Sequence, residues 1–320
     1  MILTYREAIR EGMSIRMRED PRVILFGEDT GAYGGSFGIT LGMYDEFGGD
    51  RVRDTPISES AIIGCAVGSA ATGMRPIAEL VFCDFLTVAM DQIANQAAKM
   101  RYMFGGKISL PMVVRMPAGA GQGGAAQHSQ SLEAWVTHVP GLKVVYPSTP
   151  QDALGLILSA IDDDNPVIYF ENKIIKEKAD ITNFDPIPLG KGNIVREGTD
   201  ISVITYGLQV YDAKKAADIL AKDGISLEII DLRTLYPLDK DMIRSSIAKT
   251  HHAIVITEET KRGGYGGEIS ATIAEEMFDE LDGPVVRIGS LNTPVPGSPI
   301  LEQAFMPNYQ DIVNAARKML

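Results

Sequence analysis

The sequence has little cysteine, and neither cysteine lies in a metal-binding or redox motif. Cys65 and Cys83 are the only two, with no Cys-x-x-Cys pair and no cluster of Cys and His. Structural zinc sites and disulfide frameworks both need several such ligands at short spacings. We therefore expect a chain without structural zinc or disulfides, as is typical of proteins from the reducing cytoplasm.

An excess of positive charge and long apolar runs are also lacking. The 30 Lys and Arg against 42 Asp and Glu give a formal net charge of −12. Nucleic acid is not an expected partner, because phosphate binding needs a basic surface. No apolar run approaches the roughly 20 residues that span a bilayer, so we expect no membrane partner. The charged start, Met1 to Glu7, predicts an amphipathic helix rather than a signal peptide.

Nucleotide-binding fingerprints are missing as well. The glycine-rich stretches 31–38 and 263–267 do not match the Gly-x-Gly-x-x-Gly pattern of dinucleotide-binding domains, and there is no Walker A lysine motif. These stretches predict flexible loops or tight helix starts. A self-sufficient nicotinamide oxidoreductase is therefore disfavoured.

What the sequence does contain is a regular alternation of short apolar runs and helical stretches. The runs are continuous rather than alternating, as in strands buried on both faces of a parallel sheet. The predicted strands are Val23–Phe26, Ile77–Val81, Leu110–Met116, Leu142–Tyr146, Pro166–Phe170, Ile201–Tyr206, Leu227–Asp231, Ala253–Thr257 and Val285–Ile288. The predicted helices are Ser60–Gly73, Asp84–Phe104, Ser129–Thr137, Pro150–Ile161, Gln209–Lys222, Asp239–Lys249, Gly267–Glu280 and Asn308–Leu320. This alternation predicts an α/β fold with parallel sheets between helices.

A charged segment interrupts the alternation near the middle of the chain. It carries Pro186 and Pro188 and has no clear period. We interpret residues 176–190 as a linker between a first domain, 1–175, and a second domain, 191–320. The loop Asn292–Pro299 holds three prolines and Gly297 and is expected to be irregular.

Two acidic features have both a functional and a structural interpretation. Glu59 follows Ser58, a candidate N-cap, so its carboxylate could act in chemistry or merely favour the helix dipole. The run Asp162-Asp163-Asp164 is either a solvated turn or a turn whose oxygens bind a hard cation. From spacing alone, the structural interpretation is favoured in both cases.

Two ring side chains lie where parallel sheets bind ligands, just after a strand. Phe85 follows the strand at Ile77–Val81 and is either a core residue or a stacking surface. His128 follows the glycine-rich loop 119–124 and has polar neighbours, which is unusual for a core histidine. We expect it near a helix start.

A set of short segments together resembles the beta subunits of the decarboxylating components of 2-oxoacid dehydrogenase complexes. In chain order they are Gly27–Asp29, Arg53–Glu59, Gly73–Pro76, Asp91–Ile93, Ala98–Lys99, Gln127–Gln130, Pro140–Val145, Asp163–Val167 and Asp231–Thr234. The resemblance extends over essentially the whole chain. It implies a pyrimidine-binding domain followed by a domain like the transketolase C-terminal domain.

The resemblance also implies a cofactor, thiamine diphosphate, and roles for named residues. Glu59 would face the ring nitrogen of the aminopyrimidine, where a carboxyl group of raised pKa can share a proton. Glu28, Ile57 and Phe85 would line the same ring, and His128 would face the reacting end. A potassium ion would bind the carbonyls of Met112, Ala160, Ile161, Asp163 and Asn165.

Partners follow from the same resemblance. The Gly-Asp-Gly motif that binds magnesium diphosphate in this class is absent, so Mg²⁺ is expected on an alpha subunit in an alpha2-beta2 assembly. A lipoyl-bearing acyltransferase is expected to dock on the second domain. The stretches 101–107 and 119–123 favour acetoin as substrate, with pyruvate and then branched-chain 2-oxoacids as alternatives. A non-catalytic scaffold subunit is the alternative from another class.

Overall fold

The computed structural model describes all 320 residues, which form two units. The N-terminal unit comprises residues 1–118, 135–171 and 175–189. The C-terminal unit comprises residues 119–134, 172–174 and 190–320. The glycine-rich segment with His128 therefore belongs to the C-terminal unit.

The N-terminal unit is a sheet of mostly short strands between helices. In chain order its elements are β1 (Ile2–Thr4), α1 (Tyr5–Glu19), β2 (Val23–Gly27), α2 (Met43–Phe47), β3 (Val52–Asp54), α3 (Glu59–Ala71), β4 (Arg75–Glu79), a 3₁₀ helix (Cys83–Thr87), a π-helix (Gln92–Ala97), α4 (Ala98–Met103) and β5 (Val113–Ala118). After α5 (Glu133–Thr137), which begins in the C-terminal unit, come β6 (Lys143–Val145), α6 (Pro150–Asp162), β7 (Val167–Asn172) and β8 (Lys178–Asp180).

Strands of this unit lie in the order β6-β7-β5-β4-β2-β3. The pairs β2–β3, β2–β4, β4–β5 and β6–β7 are parallel. Helix α1 packs closely on α6, and a Cβ at Gly12 would lie only 2.3 Å from Ile157 Cγ2. The amphipathic N-terminal helix and the parallel sheet are both as predicted.

Two features of this unit differ from the prediction. The single helix expected at Asp84–Phe104 is a 3₁₀ turn, a π-helical segment and α4, since side-chain periodicity does not reveal which backbone hydrogen bonds form. Residues 176–190, predicted as a linker, contain β8, which pairs antiparallel with β1. Ile181 after it is buried. Three-residue strands leave too few side chains to show a period.

The C-terminal unit is a second parallel sheet with one antiparallel edge. Its elements are a 3₁₀ turn (Ala125–Gln127), β9 (Asn193–Arg196), β10 (Ile201–Thr205), α7 (Gln209–Leu220), β11 (Leu227–Asp231), β12 (Thr234–Tyr236), α8 (Lys240–Thr250), β13 (Ala253–Thr260), α9 (Gly266–Glu276), β14 (Val286–Ser290), α10 (Pro299–Phe305) and α11 (Tyr309–Met319). The strand order is β14-β13-β10-β11-β9, and only β9 pairs antiparallel.

Successive side chains of β10 face opposite helical layers, as in any strand. Val203 lies in an apolar cluster with residues of α7 and α11. Ser202 instead hydrogen-bonds the hydroxyls of Ser246 and Thr250 on α8. The sheet is therefore covered on both faces, which confirms the predicted α/β class. The short helix α10 begins at Pro299, where the sequence predicted only irregular loop.

No helix in the chain is both long enough and apolar enough to cross a membrane.

A fully buried cation lies in the sheet of the N-terminal unit. Arg115 on β5 donates to Glu171 on β7 at 2.6 Å and to Glu79 at the end of β4. None of the three is more than 2% exposed. Two carboxylates share one guanidinium, so burial and the charge of Glu79 outweigh Arg115 and raise the pKa of Glu171 to about 7.

This triad predicts a pH-dependent stability. Because the pKa of Glu171 is raised from 4.5, its stabilising contribution is fully present below about pH 4.5 and is lost as pH rises through about 7. One proton contributes at most about 1.4 kcal/mol per pH unit to this slope. The free energy of unfolding of Glu171→Gln, measured by denaturant titration between pH 5 and 8, should fall less steeply than that of the wild type. Parallel pH profiles would contradict the assignment.

Candidate active site

The four predicted cofactor-binding residues follow the carboxyl ends of three neighbouring parallel strands. Glu28 comes directly after β2, Ile57 and Glu59 come after β3, and Phe85 comes after β4. Since β2 pairs with both β3 and β4 in parallel, these ends meet at one edge of the sheet. This edge is where open parallel sheets bind ligands.

Glu59 is the first residue of α3, and its side chain is only 8% exposed. Ser58 is at the N-cap position as predicted, but its side chain makes no capping hydrogen bond. Glu28 lies close enough to interact with Glu59, because burial and then the charge of Glu59 raise the pKa of Glu28. Two carboxyl groups therefore lie near each other at this sheet edge.

The apolar part of the site is built from Phe85 and Ile57. Phe85 is half-buried in the 3₁₀ turn after β4 and packs edge-to-face on Phe82, with ring centroids 5.9 Å apart. Phe82 packs in the same way on Phe37. Ile57 is 81% exposed, an unusual position for a large apolar side chain beside a buried carboxylate. An apolar ring stacked here would cover both side chains.

A buried hydroxyl supports the fit to a polar heteroaromatic ring. Thr55 Oγ1 lies between β3 and Glu59 in sequence, and it is buried with no hydrogen-bond partner in the chain. A buried polar atom left unpaired costs free energy, so a ligand or water is expected to pair with it. Carboxyl groups, an unpaired hydroxyl and apolar side chains together fit an aminopyrimidine, which has both polar edges and an apolar face.

The five carbonyls predicted for potassium lie around the turn after α6. Arg75 donates to the carbonyls of Ile161 at 2.9 Å and Asp163 at 3.3 Å. The Met112 carbonyl accepts from the Val167 amide. The Asp163 carboxylate accepts from Lys143 and from the Asn165 amide groups, so its pKa is lowered despite burial.

Oxygen donors of this kind fit potassium, which prefers carbonyl ligands. Each carbonyl has two acceptor sites, so the bonds from Arg75 and Val167 leave one lone pair on each oxygen. Arg75 already brings a positive charge to the carbonyls of Ile161 and Asp163.

His128 lies in the C-terminal unit, at the end of the 3₁₀ turn Ala125–Gln127 rather than at the expected helix start. The helix predicted at Ser129–Thr137 is shorter than expected, because only Glu133–Thr137 (α5) is helical. The glycines before it, and the hydrogen bonds that backbone carbonyls accept there, favour a loop. Lys173 donates to the carbonyl of His128. His128 is half-buried.

Buried carboxyl groups of the C-terminal unit surround this loop. Burial raises the pKa of Glu258 to about 7. Burial and the charge of Glu259 raise the pKa of Glu133 well above its usual value. Glu259 accepts from the Ala134 amide at 2.7 Å. A cavity of about 500 Å³ lies beside these groups, lined by Gln127, Ser129 and Glu259 among others.

The sequence predictions missed these charged groups. The residues are Glu79, Arg115, Glu133, Glu171, Lys173, Glu258, Glu259 and Glu302. A signal existed for two of them, because Glu79 and Arg115 occur inside the predicted buried strands Ile77–Val81 and Leu110–Met116. A charge in a strand covered on both faces must be paired within the protein.

Two domain families match the chain. The transketolase pyrimidine binding domain matches residues 2–176, and the transketolase C-terminal domain matches residues 190–312. A solved structure described as a split gene transketolase, an inactive beta4 tetramer, has a TM-score of 0.82 and 21% identity, covering 99% of this chain and 97% of its own. That likeness shows the fold.

Relatives of higher identity extend over the full length. The acetoin:2,6-dichlorophenolindophenol oxidoreductase subunit beta of Cupriavidus necator is 48% identical, over 99% of this chain and 97% of its own. The 2-oxoisovalerate dehydrogenase subunit beta of Bacillus subtilis is 45% identical, over 99% and 98%. The pyruvate dehydrogenase E1 component subunit beta of Rickettsia bellii is 43% identical, over 100% and 99%. The chain therefore belongs to the transketolase-like family of beta subunits of acetoin, pyruvate and branched-chain 2-oxoacid dehydrogenases.

Proposed function

We propose that this chain is the beta subunit of a thiamine-diphosphate-dependent oxidoreductase that cleaves acetoin or decarboxylates pyruvate and passes the acyl unit to a lipoyl group. The observation that carries the proposal is that Glu28, Ile57, Glu59 and Phe85 all follow the carboxyl ends of neighbouring parallel strands at one sheet edge. Bound thiamine diphosphate supplies a carbon nucleophile for cleaving a bond next to a carbonyl. The chain supplies the binding surface and the proton chemistry.

Glu59 is proposed to share a proton with the ring nitrogen of the aminopyrimidine. Its burial at the start of α3 keeps water from the hydrogen bond. Glu28 lies beside it, and burial and the charge of Glu59 raise the pKa of Glu28. Phe85 and the exposed Ile57 are proposed to hold the faces of the ring. His128 is proposed to move a proton at the reacting end.

The substrate proposal favours acetoin over pyruvate. A relative named for acetoin is 48% identical, against 43% for one named for pyruvate and 45% for one named for 2-oxoisovalerate. The stretches 101–107 and 119–123 point the same way. A branched-chain 2-oxoacid is the alternative substrate. A scaffold subunit without catalysis is disfavoured by the retained Glu59, Phe85 and His128.

Two partners are proposed for the chain. An alpha subunit would complete each site in an alpha2-beta2 assembly and hold the Mg²⁺ and diphosphate, because relatives are named as beta subunits. Helix α3 offers an exposed face of small residues, including Cys65 and Gly68, that a partner chain can approach closely. Ile93 and Ala97 of the π-helical segment are buried within the chain and do not belong to this face.

A lipoyl-bearing acyltransferase is the second proposed partner, docking on the C-terminal domain from about residue 191. A pyruvate dehydrogenase E1 component among the relatives supports this assignment. A cytoplasmic location is proposed from the free thiols of Cys65, which is exposed, and Cys83.

Glu59→Gln tests the role of the buried carboxyl group. The amide keeps size and hydrogen bonding but cannot exchange a proton, so hydrogen–deuterium exchange at the thiazolium carbon should slow by about 10²–10⁴-fold. Cofactor binding, measured by calorimetry on the reconstituted alpha–beta pair, should persist. Glu268→Gln is the matched control, since Glu268 is an exposed carboxylate in the first turn of α9. If the thiazolium carbon exchanged at the wild-type rate in Glu59→Gln, the role of Glu59 would be only to stabilise the start of α3.

Cofactor affinity should depend on the alpha subunit. The chain alone lacks a Gly-Asp-Gly motif for magnesium diphosphate, so calorimetry should detect little binding of thiamine diphosphate until alpha subunit is added. The reconstituted pair should then reduce a dye with acetoin or pyruvate, and should acylate a lipoyl domain. Tight binding by the beta chain alone would contradict the shared site. Dye reduction without lipoyl acylation would contradict the acyltransferase partner.

We also propose that potassium binds the carbonyl turn of Met112, Ala160, Ile161, Asp163 and Asn165. Unfolding temperature should be higher in potassium chloride than in choline chloride at equal ionic strength, since binding to the folded state contributes about 2.7 kcal/mol at a hundredfold excess over Kd. Arg75→Met should enlarge the difference, because Arg75 competes for two of the carbonyls. Equal unfolding temperatures in both salts, for both proteins, would show that no potassium binds there.

A further inference from the structure

We propose that Glu302 and Glu258 are positioning residues for His128, which they hold through the backbone of the loop that carries it. This inference rests on the proposed function, because it assumes that His128 acts at the reacting end of the cofactor. The histidine loop is defined here as residues 119–130, closed by a hydrogen bond from the Gly119 amide to the Gln130 carbonyl at 3.0 Å. All of the contacts lie within the C-terminal unit.

Glu302 binds the first part of the histidine loop with both carboxylate oxygens. Its Oε1 accepts from the Gly121 amide at 2.8 Å, and its Oε2 accepts from the Gly123 amide at 2.9 Å. The side chain projects from α10 and is 3% exposed. A carboxylate that accepts two amide hydrogen bonds in a buried place fixes both the distance and the orientation of those two peptides.

Glu258, at the end of β13, binds the loop at a second point. It accepts from the Ala120 amide at 2.6 Å and from the side-chain amide of Asn172 at 3.2 Å. The next residue, Lys173, donates to the carbonyl of His128, and its own carbonyl accepts from Gln122 at 3.1 Å. Glu258 is therefore linked to the backbone of His128 through two consecutive residues.

The loop needs these contacts because its own sequence does not fix it. Gly119, Gly121 and Gly123 all have positive φ angles, and a side chain at Gly121 would lie 2.8 Å from Ile174. Glycine loses more conformational freedom than other residues when it is ordered. The cavity beside Gln127 and Ser129 leaves part of the loop without packing neighbours. Carboxylates on the loop amides thus supply the order that side-chain packing does not.

The first measurement is hydrogen exchange in the reconstituted alpha–beta pair. Glu302→Gln presents one oxygen and one NH2 group to two amide donors, so one of the two bonds must be lost. We expect the amides of residues 119–124 to exchange at least about 10-fold faster, because one of the hydrogen bonds that hold them is lost. Glu275→Gln, an exposed carboxylate of α9, is the matched control. If these loop amides exchanged at the wild-type rate in Glu302→Gln, the proposal that Glu302 holds the histidine loop would be overturned.

The second measurement separates positioning from general stability. Misplacement of a reacting group by about 1 Å can lower a rate about 10²-fold, so acyl transfer to a lipoyl domain should fall by about 10–100-fold in Glu302→Gln. Exchange at the thiazolium carbon, which depends on Glu59, should stay at the wild-type rate. In a His128→Ala background, Glu302→Gln should lower the rate of acyl transfer no further. The effects of two substitutions that act through one group are not additive.

Three results would overturn the proposal. One is faster loop exchange with an unchanged transfer rate, and another is an equal loss of transfer with and without His128. The third is a wild-type transfer rate in His128→Ala, which would remove the role of His128 itself. In that case the exchange of the loop amides would still test whether Glu302 holds the histidine loop. Glu59→Gln would still test the proposed function separately. Glu302→Asp, which keeps the charge, covers the case in which Glu302→Gln does not fold.

Discussion

A buried carboxylate is tolerated only where N–H groups or a cation compensate its charge, and both units are organised around that requirement. In the N-terminal unit, Arg115 lies between Glu79 and Glu171 and joins three strands of the sheet. In the C-terminal unit the compensation comes from backbone amides, which donate to Glu258 and Glu302. The first arrangement joins strands to each other, and the second joins a loop to the strands and helices below it.

Compensation is incomplete at the candidate active site. Glu28 and Glu59 meet at the ends of β2 and β3, and the pKa of Glu28 is raised because burial and a like charge oppose its ionisation. Perturbed carboxyl groups without a compensating cation are typical of sites that handle protons. In the triad, the Arg115 guanidinium compensates the charges of Glu79 and Glu171. The pair Glu28 and Glu59 is left for a ligand to compensate.

The sequence predicted much of this arrangement, but not the charges that hold it. Continuous apolar runs predicted both parallel sheets. The short sequence segments, taken in chain order, predicted the family. The run around Arg115 was interpreted as an apolar strand, because one charged residue hardly changes the average of its neighbours, and Glu171 and Glu258 come directly after the predicted strands Pro166–Phe170 and Ala253–Thr257. Glu302 lies in a helix of seven residues behind a proline-rich loop, and its partners are glycine amides, which have no side chains. Sequence patterns report side chains, so contacts made to backbone groups leave no trace in them.

Burial distinguishes the two interpretations of Glu59. A carboxylate that only favours a helix dipole gains as much when it is exposed, as Glu268 is at the start of α9. Glu59 instead is 8% exposed and lies close to a second carboxyl group. A carboxyl group held away from water gains more from a ligand that hydrogen-bonds it than from a dipole contribution of about 0.3–1 kcal/mol. Burial beside Glu28 therefore favours a Glu59 that hydrogen-bonds a bound ligand over one that merely begins a helix.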